Sequence, residues 1–191
     1  MSPRAGLDTQ TLVLAAAELA DEYGMEGVTL ALLAAKLGVR SPSLYNHVKG
    51  LKELRILLAI HGLQLLYADM SASIKGVSGG EAVHAISRAY VKFAQQRPGL
   101  YETTLQAPEE GNAGLEEAGA KPLQLIISVL SGYELGKSGE LHAVRGLRSI
   151  LHGFAALRNK GGFGMPLDLE ESLTRLIDAY IAGIGCMRTG D

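Results

Sequence analysis

Ser41, Pro42, Ser43, Tyr45, Asn46 and His47 place two hydroxyls, a phenol, a carboxamide and an imidazole on one short stretch, with Arg40 before it and Lys49 and Lys52 after it. This is recognition chemistry rather than bond-making chemistry. Hydroxyls and phenols donate to phosphate oxygens, a carboxamide can pair with an adenine edge, and lysine or arginine neutralises phosphate charge. From Lys36 to Arg55 five basic residues (Lys36, Arg40, Lys49, Lys52, Arg55) face one acid, Glu53. Such a patch is the electrostatic footprint expected where a duplex backbone is met. The chain as a whole carries 18 Lys plus Arg against 20 Asp plus Glu, a formal net charge of −2, which argues against a protein that coats nucleic acid generally.

These side chains need a rigid mount, and the residues before them describe one. Leu30, Leu33, Ala34 and Leu37 recur at i, i+3, i+4 and i+7, one apolar face of a helix that Thr29 is placed to cap. Gly38 supplies a left-handed turn and Val39 an apolar plug behind it. Ser41 is expected to cap a second helix with Pro42 at its first position, where a missing N–H costs nothing. Leu44 and Val48, four apart, then point inward and leave Pro42, Ser43, Tyr45, Asn46 and His47 outside. Two short helices joined by a tight turn, the second with free N-terminal side chains, form the helix-turn-helix that enters a major groove. The motif spans residues 29–48, and Thr29 joins the candidate DNA contacts.

From about Asp8 to Leu66 the chain resembles the N-terminal domain of the tetracycline-repressor (TetR) family of bacterial transcription regulators. The matching stretches are LVLAAAELADEYGMEGVTL, LAAKLGV and SPSLYNHVKGLKEL, in which Leu44-Tyr45, His47 and Lys52 stand at positions that the family pattern favours. The resemblance implies phosphate contacts for Tyr45 and Lys52, and base or groove contacts for Ser41, Pro42, Ser43, Asn46 and His47. Repression is the family's common mode; a short recognition helix reads few bases, and two copies about one helical turn apart in a homodimer are expected to read a palindromic operator. LRSILHGFAALRNKGGFGMPLDLEESLTRLIDAYIAGI further resembles a regulatory-domain subgroup marked by Trp-His-Gly. Here His152-Gly153 is present, with Leu151 at the tryptophan position.

The remaining chain reads as helices: Leu51 to Ile74, Glu81 to Gln96, Pro98 to Gln106, Leu115 to Gly132, Glu140 to Lys160, and Asp168 to Met187. KGVSGG, PEEGNAG and GGFGMP are the breaks. LIISVL (residues 125–130) could pass for a buried strand by composition alone. The expectation is an all-α protein with a three-helix DNA-binding domain at 6–66 and a helical effector-binding and dimerisation domain at 67–191. SGYELGKSG looks like a phosphate loop, but Gly132 and Gly136 enclose three residues where four are needed.

The last two helices carry apolar residues over a wide arc, and Leu141, Val144, Leu147, Leu151, Leu173, Leu176, Ile177, Tyr180, Ile181 and Ile184 are candidates for a two-fold four-helix interface. An intrachain core is the alternative. Aromatic and polar groups interrupting apolar faces are candidate lining for a small, apolar effector: Tyr67, Tyr90, Phe93, Tyr101, Gln106, Gln124, Tyr133, His152 and Phe154. No metal-ligand spacing, nucleophile with a base, or carboxylate pair is present, so no cofactor, metal or catalytic role is expected. The other readings are a helical small-molecule-binding protein or an adaptor without a DNA role. No apolar run near the length of a membrane span is evident, the N-terminus lacks a secretory stretch, and the single Cys186 cannot form an internal disulfide; a cytoplasmic setting is expected.

Overall fold

The computed structural model describes residues 7–105 and 111–186, in which every regular element is helical. The helices are α1 (Thr9–Tyr23), α2 (Leu30–Leu37), α3 (Ser41–Leu44), α4 (Leu51–Ser73), α5 (Gly79–Gln96), α6 (Pro98–Thr103), α7 (Ala113–Leu130), α8 (Gly136–Asn159) and α9 (Leu169–Gly185). Residues 125–130 are helical, the last turn of α7, so the strand suggested by their composition does not form. α8 begins at Gly136, a turn before the expected Glu140, and α6 stops at Thr103. Gln106 lies outside the described residues.

The chain divides into two compact units, Met1–Gln64 with Arg97–Ala118, and Leu65–Gln96 with Gly119–Asp191. α6 thus belongs with the N-terminal helices. In that unit Leu12, Ala16, Leu19, Leu33, Leu44, Leu54, Leu58 and Leu100 are buried. Each such leucine contributes roughly 1.5–3 kcal/mol relative to exposure.

α6 is seated on α1 by two devices. Asp21 accepts from Arg97 Nε at 2.5 Å and, through its other oxygen, from the Leu100 N–H at 3.0 Å. Gly99 allows direct backbone contact, since a Cβ there would lie 1.8 Å from the Ala20 carbonyl oxygen. On its other side α6 meets α4 at Gly62, whose missing Cβ would lie 2.8 Å from Thr104 Cγ2.

The second unit is held by α5, α8 and α9. Val83, Ile86, Phe93, Leu130, Leu147, Leu151, Leu173 and Ile177 are buried in it. Polar ties bind the same elements: Asn159 Nδ2 donates to the Ala94 carbonyl at 2.9 Å, His84 Nε2 lies 2.9 Å from Asp178 Oδ1, and the Tyr180 hydroxyl donates to the Ala143 carbonyl at 2.7 Å. Burial, together with the nearby Tyr133, pushes the Tyr180 phenol up to about 12.

Six of the candidate interface residues lie in this core. Val144, Leu147, Leu151, Leu173, Ile177 and Ile184 are buried in the chain's own unit, because α8 and α9 turn those faces towards α5 and each other. Leu141 and Leu176 remain exposed, at 55% and 38%, and Tyr180 and Ile181 half-buried.

α4 corrects the expectation that no segment has the length of a membrane span: its 23 residues, with mean hydropathy 1.2, meet that test by length and composition. Its Leu54, Leu58, Leu66 and Met70 are nonetheless buried against protein.

Candidate nucleic-acid interface

α2 ends as its sequence requires. The Thr29 hydroxyl accepts from the Leu32 N–H at 3.1 Å, and Gly38 adopts a left-handed conformation with φ 65°. The Gly38 and Val39 N–H groups return to the Ala35 and Ala34 carbonyls at 3.1 and 3.0 Å, which satisfies the otherwise orphaned end of the helix. Thr29 is therefore first a helix cap, with its acceptor lone pair committed to the backbone.

The second helix differs from expectation at its start. Arg40, extended at φ −82° and ψ 142°, holds the cap position without a side-chain cap bond, and Ser41 is the first helical residue. The Ser41 hydroxyl is thereby released from the capping role. α3 is also short, a single turn. The chain continues to Val48 through turns closed by His47 N–H and Val48 N–H on the Leu44 carbonyl, at 2.9 and 3.0 Å. Leu44 and Val48, 0% and 2% exposed, nail this segment to the core. Tyr45 stands out at 59% exposure; Pro42 and Asn46 are exposed, and Ser41, Ser43 and His47 half-buried. The arrangement is a rigid ridge of polar groups on two apolar pins.

The flanking charge is more selective than the sequence count suggests. Lys36 is bound to Glu18 at 2.8 Å, and Arg55 faces Glu26 at 3.5 Å, so both serve contacts within the unit. Arg40, Lys49 and Lys52 are exposed beside the ridge. The Lys49 N–H donates to Glu53 Oε2 at 2.6 Å, which fixes the chain as it enters α4 and sets where Lys49 and Lys52 emerge.

The proposed effector residues are less unified. Tyr101 is buried in the first unit, while Tyr90, Phe93 and Phe154 are buried in the second. Phe154 packs against Phe163 with ring centroids 5.0 Å apart. Tyr67 and His152 are half-buried and Gln124 is exposed. Tyr133 lines a cavity of ≈ 560 Å³ with Ile74, Val77, Ser128 and Val129, and burial raises its phenol above the usual range. Asp21, Arg97 and Gly99, which seat α6, carried no sequence signal because their partners lie far away along the chain.

An apolar-pinned helical turn that presents a tyrosine, an asparagine and flanking cations on an all-α scaffold defines a helix-turn-helix DNA-binding regulator. Residues 12–54 match the bacterial regulatory proteins of the tetR family, and residues 83–180 match the tetracyclin repressor-like C-terminal domain. The HTH-type transcriptional regulator YobS of Bacillus subtilis strain 168 is 40% identical over 184 residues, 96% of each chain. A protein from Rhodococcus sp. RHA1 shares the fold with a TM-score of 0.81 and 21% identity, over 96% of this chain and 98% of its own. A TetR variant from Acinetobacter baumannii AYE, solved in complex with minocycline, shares it with a TM-score of 0.73 and 21% identity, over 97% of this chain and all of its own. The chain belongs to the TetR family and is a transcriptional regulator; the family is not one of enzymes.

Proposed function

We propose that the protein acts in the cytoplasm as a homodimeric repressor that binds a palindromic operator and is released by a small-molecule effector. The observation that carries this reading is the ridge itself: Tyr45 and Asn46 exposed on a segment whose Leu44 and Val48 are fully committed to the core. Tyr45, Lys49, Lys52 and Arg40 meet phosphates, Ser41, Pro42, Ser43, Asn46 and His47 meet the groove, and Thr29 stands at its edge. One turn of recognition helix reads few bases. Two copies on a two-fold axis, about one helical turn of DNA apart, multiply that selectivity.

The dimer face is the outward side of α8 and α9, centred on Leu141 and Leu176 with Tyr180 and Ile181 beside them. Two such helices per chain form a four-helix bundle. The effector-responsive role is supported by the C-terminal family match and by the minocycline complex of a fold relative. His152-Gly153 supports placement in the Trp-His-Gly-type subgroup.

Sedimentation velocity tests the assembly. The wild-type chain is expected to sediment as a dimer, and the Leu141→Glu/Leu176→Glu protein as a folded monomer with weakened operator binding. A double variant that stays dimeric with unchanged DNA affinity would move the interface elsewhere.

A further inference from the structure

In the C-terminal unit a groove of ≈ 520 Å³ runs between α4 and α5. Its α5 wall presents Arg88, Lys92 and Gln96 at successive helical turns; its α4 wall presents Asp69 and Ser73. Ala72, exposed, and Ala85 and Ala89, half-buried, complete the lining with their methyl groups.

Three features set this groove apart from an ordinary charged helix face. Arg88 and Lys92 are like charges four residues apart, an arrangement that destabilises a helix unless a counter-charge is supplied. Among the described residues no ion pair or hydrogen bond supplies one, although Asp69 stands on the opposite wall. Alanines in the lining leave room where longer side chains would fill the groove, and the space is large enough for a small ring or a short alkyl chain.

The geometry points to a binding site for a small monocarboxylic acid with an apolar body. Two cations against one carboxylate leave a single positive charge, which one carboxylate group neutralises. The guanidinium of Arg88 offers a planar fork that suits carboxylate geometry, and Lys92 adds a point charge one turn on. The apolar body lies over the three alanine methyls, and Asp69 accepts from any hydroxyl on the ligand. This assignment gives the effector of the proposed regulator a chemical class and rests on that reading only for its consequence on DNA. Binding itself is measured without DNA, so failure of one is distinguishable from failure of the other.

The test is an amide NMR titration of the full-length protein with sodium benzoate at constant ionic strength, with neutral benzamide as the matched control. Benzoate is expected to shift residues 69–73 and 85–96 saturably, and benzamide to leave them unmoved. Arg88→Gln/Lys92→Gln, at exposed positions, is expected to retain the folded spectrum and weaken benzoate binding roughly tenfold or more. Ala89→Leu, which adds bulk to the lining and keeps both charges, is expected to weaken it as well. Shifts centred elsewhere, equal binding of benzamide, or undiminished binding by these variants would each overturn the assignment. So would a charge-removed protein that keeps its benzoate affinity while its DNA binding loses salt dependence, because Arg88 and Lys92 would then be phosphate contacts.

Discussion

Replacing Gly99 by alanine is expected to unseat α6 and lower the stability of the N-terminal unit by about 3 kcal/mol, the upper end of the usual overpacking range. The added methyl would sit 1.8 Å from the Ala20 oxygen and 2.1 Å from its carbonyl carbon. Both are helix backbone, so no side-chain rotation relieves the clash. α6 must move, and its movement strains the Asp21 bonds to Arg97 and to the Leu100 N–H. For a chain of this size the thermal midpoint is expected to fall by roughly 10 °C. Gly119→Ala provides the contrast: it lies inside α7, and a Cβ there meets nothing within 4 Å, so the midpoint should hold or rise slightly. Differential scanning calorimetry of the two variants separates the effects. Equal midpoints for both would show that α6 is not held at this contact.

Tyr45→Ala is expected to weaken operator binding roughly 100-fold or more while leaving thermal stability unchanged. A phenol bound to phosphate contributes a charge-assisted hydrogen bond, and a two-fold complex loses it twice. Stability is spared because Tyr45 is 59% exposed and the anchoring belongs to Leu44 and Val48. Lys52→Ala is expected to weaken binding uniformly across sequences and to reduce the salt slope by about two per dimer. Tyr23, comparably exposed at 53% near the end of α1, serves as the control, and its alanine variant should bind normally. Fluorescence anisotropy over a salt series measures all three. Equal losses for Tyr45→Ala and Tyr23→Ala would remove Tyr45 from the interface.

The reading segment was legible because its determinants are local. Thr29, Gly38, Val39 and Pro42 act within a few residues of themselves, so caps, turn and apolar pins follow from spacing. The departure from expectation at Ser41 is also local: the extended Arg40 takes the cap position, and the proline that marks a helix start fits the second helical residue as well as the first. Helix existence beyond residue 50 likewise followed from apolar periodicity. Tertiary assignments did not. Val144, Leu147 and Ile177 show the same spacing whether they face α5 or a second chain, and only burial distinguishes the two. The seat of α6 depends on Asp21 finding Arg97 across 76 residues, and Gly99 looks like a loop glycine after Pro98 until its neighbour on α1 is seen. Residue type alone does not separate Lys36 and Arg55 from Arg40, because Glu18 and Glu26, which engage the first two, lie elsewhere along the chain.

In the proposed function the ridge from Ser41 to His47, displayed twice on a two-fold axis, reads duplex DNA. Selection of bound sequences from a random duplex library at low ionic strength tests it most directly. The expected result is enrichment of one palindromic site whose half-sites are about one helical turn apart, with altered preference when Asn46→Ala is used in the selection. A library that emerges without enrichment, or an enriched site that is identical for the wild-type and Asn46→Ala/Ser43→Ala proteins, would contradict it.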